Sequence, residues 1–306
     1  MKPPVDLSTR VGSLTFPNPV MTASGTAGHG AELKRYVDLG GLGAVVVKSL
    51  SADPWAGNPA PRVHEVAGGM INSVGLQNPG IEAWMTDELP ELLATGARVI
   101  ASIWGFTVAD YERAAQLISA APAGVLAVEV NLSCPNVESR RHMFAHSASA
   151  TAEVVTATAA AGRPRWAKLS PNVTDLTEIA VAALDAGADA VTLINTVMGL
   201  AIDPVTRRAR LGNFGGGLSG AAIHPVAVRA VHDVYTARPE AAIVGVGGVT
   251  CAADVVELML AGASAVQIGT ATFRDPQATG RILRELNGWC RRQGVRRLSD
   301  LIGAVQ

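Results

Sequence analysis

The fold class is decided by three related segments: LGGLGAVVV (residues 39–47), AGADAVTLI (186–194) and AGASAVQIG (261–269). Each one places a glycine where a helix is expected to end and follows it with a short apolar run. A run that is apolar on both faces is typical of a strand buried in a parallel sheet. Because the same local pattern recurs, it indicates a repeated unit in which a helix leads into a strand.

Short β-branched runs of this kind predict strands throughout the chain. The predicted strands are Pro19–Ser24, Gly43–Lys48, Val99–Ser102, Val125–Leu132, Trp166–Leu169, Ala190–Asn195, Ala242–Gly247 and Ala265–Gly269. Eight such units predict a single (β/α)8 TIM barrel, an α/β fold. A doubly wound open sheet is the alternative, but no G-x-G-x-x-G motif opens the first helix.

Helical periodicity fills the segments between these strands. In Asp175–Ala186 the apolar residues recur at i, i+3, i+4, i+7 and i+8, which places them on one face of a helix. We expect Thr174 to cap this helix and Gly187 to end it.

Three further segments lengthen the barrel. Val5–Pro17 predicts an N-terminal hairpin that closes the barrel bottom, and Ser49–Gly80 and Val197–Gly220 are two long βα insertions. Long βα connections usually carry function. Although 306 residues would allow two domains, we expect residues 1–306 to form one barrel domain, since such barrels routinely exceed about 200 residues.

Composition excludes several classes of protein. Hydrophobic residues make up 48% and charged residues 17% of the chain, which indicates a large buried interior and not a disordered protein. A formal net charge of −1 without blocks of Lys or Arg disfavours nucleic acid or an anionic membrane as the main partner.

Processing signals and metal motifs are also missing from the sequence. The start, MKPPVDLSTR, lacks the apolar stretch of a signal peptide, and no run approaches the length of a membrane span. The three cysteines, Cys134, Cys251 and Cys290, are widely spaced, so we expect no disulfide framework, no metal site and a reducing cytoplasmic location. HMFAH at 142–146 lacks the glutamate of a metal-binding HExxH helix.

Polar residues concentrate where the predicted strands end, which is the reactive face of such a barrel. Lys48 and Lys168 both end apolar strands, and a buried lysine is costly without a partner. The alternative is that each lysine reaches solvent along the barrel rim. Glycines in GVGGVT (245–250) and GTA (269–271) end the last two strands, where a phosphate is commonly held by backbone N–H groups.

The motif NLSCPN at 131–136 follows the fourth strand and combines asparagine amides with a thiol. The asparagines offer paired donors and acceptors that suit an amide-bearing or heterocyclic substrate. A cysteine whose thiolate is modestly stabilised can act as a base, so Cys134 is the candidate catalytic residue. The alternative is a small buried hydrophobic residue, which is what we expect of Cys251 and Cys290.

At these motifs the chain resembles the dihydroorotate dehydrogenases, and the similarity runs nearly end to end. The matching blocks are TASGTAG (22–28), VVVKS (45–49), INSVGLQNPG (71–80), NLSCPN (131–136), INTVMGLAID (194–203), GGGLSGAAIHP (215–225), GVGGV (245–249) and QIGTATF (267–273). Cysteine in the fourth block is the mark of class 1, and the blocks NSVGLQNPG (72–80) and GGLSG (216–220) are most similar to class 1B catalytic subunits.

The resemblance implies an FMN-dependent oxidation of (S)-dihydroorotate to orotate in de novo pyrimidine biosynthesis. A hydride would pass from substrate to FMN, while Cys134 removes a proton. It further implies a homodimer, or a heterotetramer with a second subunit that carries FAD and a 2Fe–2S cluster and passes electrons to NAD+.

The same resemblance assigns binding residues by matching position. FMN would be held by Ser24, Lys48, Ser49, Ser102, Asn131, Lys168, Ile194, Gly220, Gly247, Gly248, Gly269 and Thr270. The pyrimidine would be bound by Lys48, Asn72, Ser73, Val74, Gly75, Leu76, Asn131, Asn195 and Thr196. Lys168 suits the N1 side of the flavin, where a cation stabilises the reduced form.

Two blocks depart from the family pattern. The family usually has asparagine near Ser102, but here the block is SIWG, with a bulky Trp104. The loop after NLSCPN is VESRRHMFAHS (137–147), which is basic and lacks the usual glycine. This loop motivates an alternative function, a related FMN-dependent oxidoreductase acting on another dihydropyrimidine or a specialised metabolite. A non-catalytic flavin- or phosphate-binding barrel is a third interpretation, disfavoured because Lys48 and Cys134 are both retained.

Overall fold

The computed structural model describes residues 4–133 and 143–306. Its strands, in chain order, are β1 (Thr9–Val11), β2 (Leu14–Phe16), β3 (Val20–Thr22), β4 (Val45–Val46), β5 (Val63–Val66), β6 (Gly69–Asn72), β7 (Val99–Ile103), β8 (Val125–Asn131), β9 (Arg165–Lys168), β10 (Ala190–Leu193), β11 (Val197–Gly199), β12 (Gly216–Ser219), β13 (Ile243–Val246) and β14 (Ala265–Ile268). Its α-helices are α1 (Ile81–Asp87), α2 (Leu89–Ala94), α3 (Val108–Ser119), α4 (Ala148–Ala157), α5 (Leu176–Asp185), α6 (His224–Ala237), α7 (Ala252–Ala261), α8 (Ala271–Arg274) and α9 (Ala278–Gln293).

Eight of these strands form one parallel sheet in the order β3-β14-β13-β10-β9-β8-β7-β4. A parallel bridge between Met21 and Ala44 joins the two end strands and closes the sheet. Each barrel strand lies within or within one residue of its predicted segment, so the eight predicted strands and the TIM barrel are confirmed. The open-sheet alternative is wrong, because the edge strands meet.

Helices surround the barrel and bury their apolar faces against its strands. In α5, Ile179, Ala180 and Ala183 are buried, which agrees with the predicted periodicity. The helix ends at Asp185 with Ala186 as its C-cap, and Gly187 follows with a φ of +96° that suits glycine and stops the helical backbone, as predicted.

The predicted N-cap of α5, however, is wrong by one residue. Asp175 and not Thr174 is the cap, and its Oδ1 accepts from the N–H groups of Thr177 at 2.9 Å and Glu178 at 3.2 Å. A carboxylate in an extended residue satisfies two of the unpaired N–H groups and also interacts favourably with the positive end of the helix.

The N-terminal hairpin closes the barrel bottom, as predicted. Strands β1 and β2 pair antiparallel, and Val11 and Phe16 from them are fully buried. Phe16 packs edge-on against Trp166 of β9, with ring centroids 6.0 Å apart. These side chains join the apolar interior layer at the amino-terminal ends of the barrel strands.

The two long insertions pair with each other, an arrangement that the sequence did not predict. They contribute β5, β6, β11 and β12 to one antiparallel sheet in the order β11-β12-β6-β5. Gly217 of β12 pairs with Asn72 of β6, although the two residues belong to different insertions. This insert sheet stands beside the carboxyl ends of the barrel strands.

Cysteine placement partly follows expectation. Cys290 is fully buried in α9, and burial raises the pKa of its thiol, as expected for an inert core residue. Cys251 is only half-buried because it occupies the N-cap position of α7. Within the described residues, no helix is both long and apolar enough to cross a membrane.

Candidate active site

A cavity of about 460 Å³ opens between the carboxyl ends of the barrel strands and the insert sheet. The predicted site residues that line it are Ser24, Lys48, Ser49, Asn72, Ser73, Val74, Gly75, Leu76, Asn131, Lys168, Ile194, Asn195, Thr196, Gly220, Gly247, Gly248, Gly269 and Thr270. Their segments are far apart in sequence, and they converge because all strands of a parallel barrel end on the same face.

Cys134, the predicted catalytic residue, lies outside the described residues, as does Asn136. The described chain on either side borders the cavity, since both Ser133 and Met143 line it.

Ser102 is the one described site residue that does not line the cavity. It is fully buried, and its hydroxyl lies 2.9 Å from that of Ser49, which in turn lies 3.2 Å from the hydroxyl of Ser24. Asn131 Nδ2 also donates to Ser49 Oγ, at 3.2 Å. Ser102 therefore contacts the Ser49 hydroxyl without lining the cavity itself. Ser49 in turn links the ends of β3, β7 and β8.

A second chain of hydrogen bonds leads from Asn131 toward the insert sheet. Asn195 Nδ2 donates to Asn131 Oδ1 at 3.3 Å, and Asn195 Oδ1 accepts from the Thr196 N–H at 2.8 Å. Asn172, which sequence reasoning missed, donates to the Thr196 carbonyl oxygen at 2.9 Å and also lines the cavity. These contacts fix the amide orientations of Asn131 and Asn195.

Lys168 is held by one acidic and one amide side chain, neither of which was predicted from the sequence. Its Nζ donates to Glu129 Oε1 at 3.3 Å and to Gln267 Oε1 at 3.4 Å. Lys168 is only 5% exposed, so the alternative in which it reaches solvent is wrong. A signal was present: Glu129 precedes Asn131 by two residues and Gln267 interrupts an apolar strand, so each points to the barrel interior.

Lys48 lies half-buried at the other side of the cavity, beside Gly25. A Cβ built on Gly25 would meet Lys48 Cδ at 3.4 Å, and the φ of Gly25 is +87°, so the lysine stem runs close over a backbone that favours glycine. Burial lowers the pKa of nearby His29, and the positive charge of Lys48 lowers it further. Both effects favour the neutral form of the His29 imidazole.

Glycines form a tight cradle at the ends of β12, β13 and β14. A Cβ on Gly247 would come within 2.7 Å of Ala227 Cβ, and one on Gly248 within 2.7 Å of His224 Cβ. Gly220, with φ of +105°, completes the same wall. Thr270 Oγ1 donates to Ser219 Oγ at 2.8 Å, which places two hydroxyls at the edge of the cradle. Such a surface, with backbone exposed and no side chains in the way, suits a phosphate group.

Three aromatic rings line the remaining wall. Trp104 contacts Phe106 edge-on at 4.7 Å between ring centroids, and Trp55 contacts Phe106 at 5.1 Å. Trp104, one of the two departures from the family pattern, is 1% exposed, so its bulk is absorbed by this aromatic cluster. The cluster gives the cavity an apolar side opposite its polar strand ends.

One group of potential metal ligands lies below the glycine cradle, but its members are used structurally. The ligand atoms of His224, Asp254 and Glu257 lie within 4.8 Å of one another. His224 Nδ1 is 2.7 Å from the Gly247 carbonyl oxygen, and Asp254 accepts from the N–H groups of Thr250 and Cys251. These contacts hold the cradle and the start of α7 in place.

The family model and the relatives that match this chain all point to the same family. The model of the dihydroorotate dehydrogenase family matches residues 6–289. The chain is 48% identical over 302 residues to the dihydroorotate dehydrogenase B (NAD(+)) catalytic subunit of Desulforudis audaxviator, covering 98% of each chain. It is 47% identical over 307 residues to the protein of the same name from Trichlorobacter lovleyi, covering 100% of each, and 45% identical over 302 residues to that of Geobacter sulfurreducens, covering 98% of each.

Proposed function

This chain belongs to the dihydroorotate dehydrogenase family, and on that basis we propose that it oxidises (S)-dihydroorotate to orotate, the redox step of pyrimidine biosynthesis. The observation that carries the proposal is the convergence of the matching motifs on one cavity. Relatives named dihydroorotate dehydrogenase B catalytic subunit match this chain over nearly its full length, which supports the same activity here.

We propose FMN as the cofactor, because the cavity fits it in size and in lining. Cofactor pockets commonly span roughly 300–1,000 Å³, a range that includes this cavity. The phosphate would lie against the backbone of Gly220, Gly247, Gly248 and Gly269 and against the hydroxyl of Thr270, since glycine leaves backbone N–H groups accessible. The isoalloxazine ring would lie between Ser24, Ser49, Asn131 and Ile194 and the ammonium of Lys168, with Ser102 acting through Ser49. When bound, FMN supplies the acceptor for the substrate hydride.

The substrate would occupy the space between FMN and the insert sheet. Lys48 offers a positive charge for the carboxylate of dihydroorotate, and the amides of Asn72, Asn131 and Asn195 offer donors and acceptors for the ring amides. Thr196 and the backbone of Ser73–Leu76 would close the remaining sides. An analogue that lacks a ring amide or the carboxylate would leave these buried polar groups unpaired and would be rejected.

Cys134 is the proposed base that removes the proton from the substrate. A thiol has a reference pKa near about 8.5, so a modest stabilisation of the thiolate makes it a usable proton acceptor near neutral pH. Its described neighbour Ser133 lines the cavity.

We further propose that the chain is the catalytic subunit of a larger assembly. The names of the relatives contain both that designation and NAD(+). A partner subunit bearing FAD and a 2Fe–2S cluster would pass electrons to NAD+, and the catalytic chains would pair as a homodimer within that complex. We propose a cytoplasmic location, since the thiol base needs a reducing compartment.

The activity is tested by mixing the purified, FMN-loaded protein anaerobically with dihydroorotate and following bleaching of the flavin absorbance. Rapid bleaching that yields orotate is the expected result. Stoichiometric FMN without bleaching would contradict dihydroorotate as substrate and direct the search to other dihydropyrimidines.

The base is tested with Cys134→Ala in the same experiment. We expect FMN to stay bound while flavin reduction slows by about 10²–10⁴-fold, the usual contribution of a general base. Cys251→Ala is the matched control, because Cys251 lies half-buried at a helix N-cap away from the cavity lining. Equal reduction rates in the two variants would remove Cys134 as the base.

A further inference from the structure

Three polar side chains are buried together inside the barrel, beneath the cavity. Glu129 and Gln267 are fully buried and Lys168 is 5% exposed. Lys168 alone of the three lines the cavity, so Glu129 and Gln267 lie behind it. Glu129 lies on β8, Lys168 on β9 and Gln267 on β14. Strand β14 lies across the barrel interior from the other two strands.

The three side chains form a closed triangle of hydrogen bonds. Lys168 Nζ donates to Glu129 Oε1 at 3.3 Å and to Gln267 Oε1 at 3.4 Å. Gln267 Nε2 donates to the second carboxylate oxygen, Glu129 Oε2, at 2.6 Å. Because each side chain is held by the other two, none can rotate without breaking a buried hydrogen bond.

Lys168 is the member of this triangle that borders the cavity. The carboxylate neutralises the ammonium, which offsets the cost of burying either ion alone. An ammonium has three N–H donors, and the two contacts with Glu129 and Gln267 use two of them. Among the described residues, these two contacts leave the third donor for a group in the cavity, which Lys168 lines.

We infer that Glu129 and Gln267 are positioning residues that hold the Lys168 ammonium, charged and fixed, against the bound flavin. The inference rests on the proposed FMN site. A cation held at this point stabilises the negative charge of reduced flavin more than it stabilises oxidised flavin. Glu129 therefore favours the reduced cofactor indirectly, although its own negative charge opposes it.

Because the two effects of Glu129 oppose each other, the direction in which Glu129→Gln shifts the relative affinity for oxidised and reduced FMN distinguishes them. Glu129→Gln keeps the side-chain shape and removes the charge. The quantity to compare is the dissociation constant of oxidised FMN divided by that of reduced FMN. If Glu129 positions Lys168, this ratio falls about tenfold in the variant. A tenfold fall corresponds to a reduction potential of bound FMN that is about 30 mV lower for a two-electron couple. If Glu129 acts only through its charge, the same substitution favours reduced flavin and the ratio rises.

The measurement is the reduction potential of bound FMN, by equilibration with reference dyes, together with FMN affinity from fluorescence titration of the apoprotein. Glu129→Gln, Lys168→Met and the double variant form a cycle. We expect Lys168→Met to lower the ratio at least as much as Glu129→Gln, and the second change to add little in the double variant. Glu91→Gln is the matched control, because it removes the carboxylate partner of Lys34 at an exposed ion pair.

Folding is checked by circular dichroism and thermal unfolding of each apoprotein. Should Glu129→Gln fail to fold, Gln267→Leu tests the same positioning and is expected to lower the ratio severalfold. Wild-type protein that does not bind FMN would overturn the proposed function and this inference with it. Wild-type protein that binds FMN, with a ratio that is unchanged or raised in Glu129→Gln, would overturn the inference alone.

Discussion

At the scale of single residues, Gly248 shows how backbone geometry builds the proposed phosphate cradle. Its φ is +68°, and a Cβ there would lie 2.7 Å from His224 Cβ and 2.9 Å from the Gly220 carbonyl oxygen. Both neighbours are held by hydrogen bonds: His224 Nδ1 lies 2.7 Å from the Gly247 carbonyl oxygen, and the Gly220 carbonyl oxygen accepts from the Ile223 N–H at 3.1 Å. The glycine is therefore required both by conformation and by space.

We predict that Gly248→Ala weakens FMN binding by about tenfold or more, because the added methyl displaces the cradle, and tenfold corresponds to about 1.4 kcal/mol. The measurement is fluorescence titration of apoprotein with FMN. Gly162→Ala is a close control, since Gly162 has φ of +61° but has no atom within 4 Å of its added Cβ. Both variants should lose roughly 1–3 kcal/mol of stability from backbone strain, and only Gly248→Ala should lose affinity. Equal affinities would exclude the cradle as the phosphate site.

Lys168 shows the limit of residue-level prediction. Its type and its place at a strand end marked it as a site residue, and the structure places it in the cavity wall. Its partners are 39 and 99 residues away in sequence, and only the closed barrel brings them within hydrogen-bonding distance. Strand alternation shows that Glu129 and Gln267 face inward but does not show which side chain each one meets.

At the scale of elements, the insert sheet determines the shape of the proposed substrate pocket. Gly217 of β12 packs directly against the side chain of Thr196, a predicted substrate residue, and a Cβ on Gly217 would overlap that hydroxyl. The pairing of β12 with β6 holds Gly217 in this position. A methyl group added at Gly217 would therefore displace Thr196 and change the shape of the proposed substrate pocket.

We predict that Gly217→Ala raises the KM for dihydroorotate about tenfold and leaves FMN affinity unchanged, because Thr196 must move while the glycine cradle does not. Steady-state kinetics with an artificial electron acceptor and FMN titration separate the two effects. Gly199→Ala, in β11 of the same sheet, is the control: its added Cβ would make ordinary contacts with Ile71 at 3.5 Å and Leu218 at 3.9 Å. A rise in KM of the same size in both variants would indicate a general disturbance of the sheet.

At the scale of the whole molecule, stability and chemistry are separated along the barrel axis. The hairpin and the apolar interior layer fill the amino-terminal end of the barrel, and the cavity opens at the carboxyl end. We propose that hairpin, barrel and insert sheet form one domain, since the hairpin buries Phe16 inside the barrel and the insert sheet lines its cavity.

We predict that Phe16→Ala lowers the free energy of unfolding by about 3–5 kcal/mol, because it leaves a cavity against Trp166, while FMN affinity stays within twofold. Guanidinium unfolding followed by tryptophan fluorescence and circular dichroism gives the first value, and FMN titration gives the second. Phe214→Ala, at a residue that is 68% exposed, should change stability by no more than about 0.5 kcal/mol. If Phe16→Ala instead removed only a small, separate unfolding transition and left the main transition unchanged, the hairpin would be shown to fold separately.

The barrel could be predicted from the amino-acid sequence, because the glycine-then-apolar pattern is local and recurs in three of the units, and short β-branched runs mark the other strands. The sequence also determined which residue types end the strands, since a parallel barrel brings every strand end to one face. The helix cap was misplaced by one residue because both Thr174 and Asp175 can cap, and only the backbone shows which side chain meets the N–H groups.

The contacts between distant segments could be read only from the folded structure. The two insertions pair with each other across more than a hundred residues, Gly217 with Asn72, and their sequences carry no sign of this register. The bond from Gln267 to Glu129 spans 138 residues across the barrel interior. Local patterns fix what each segment becomes and which face is buried, whereas the choice of partner depends on the closed geometry that all eight strands make together.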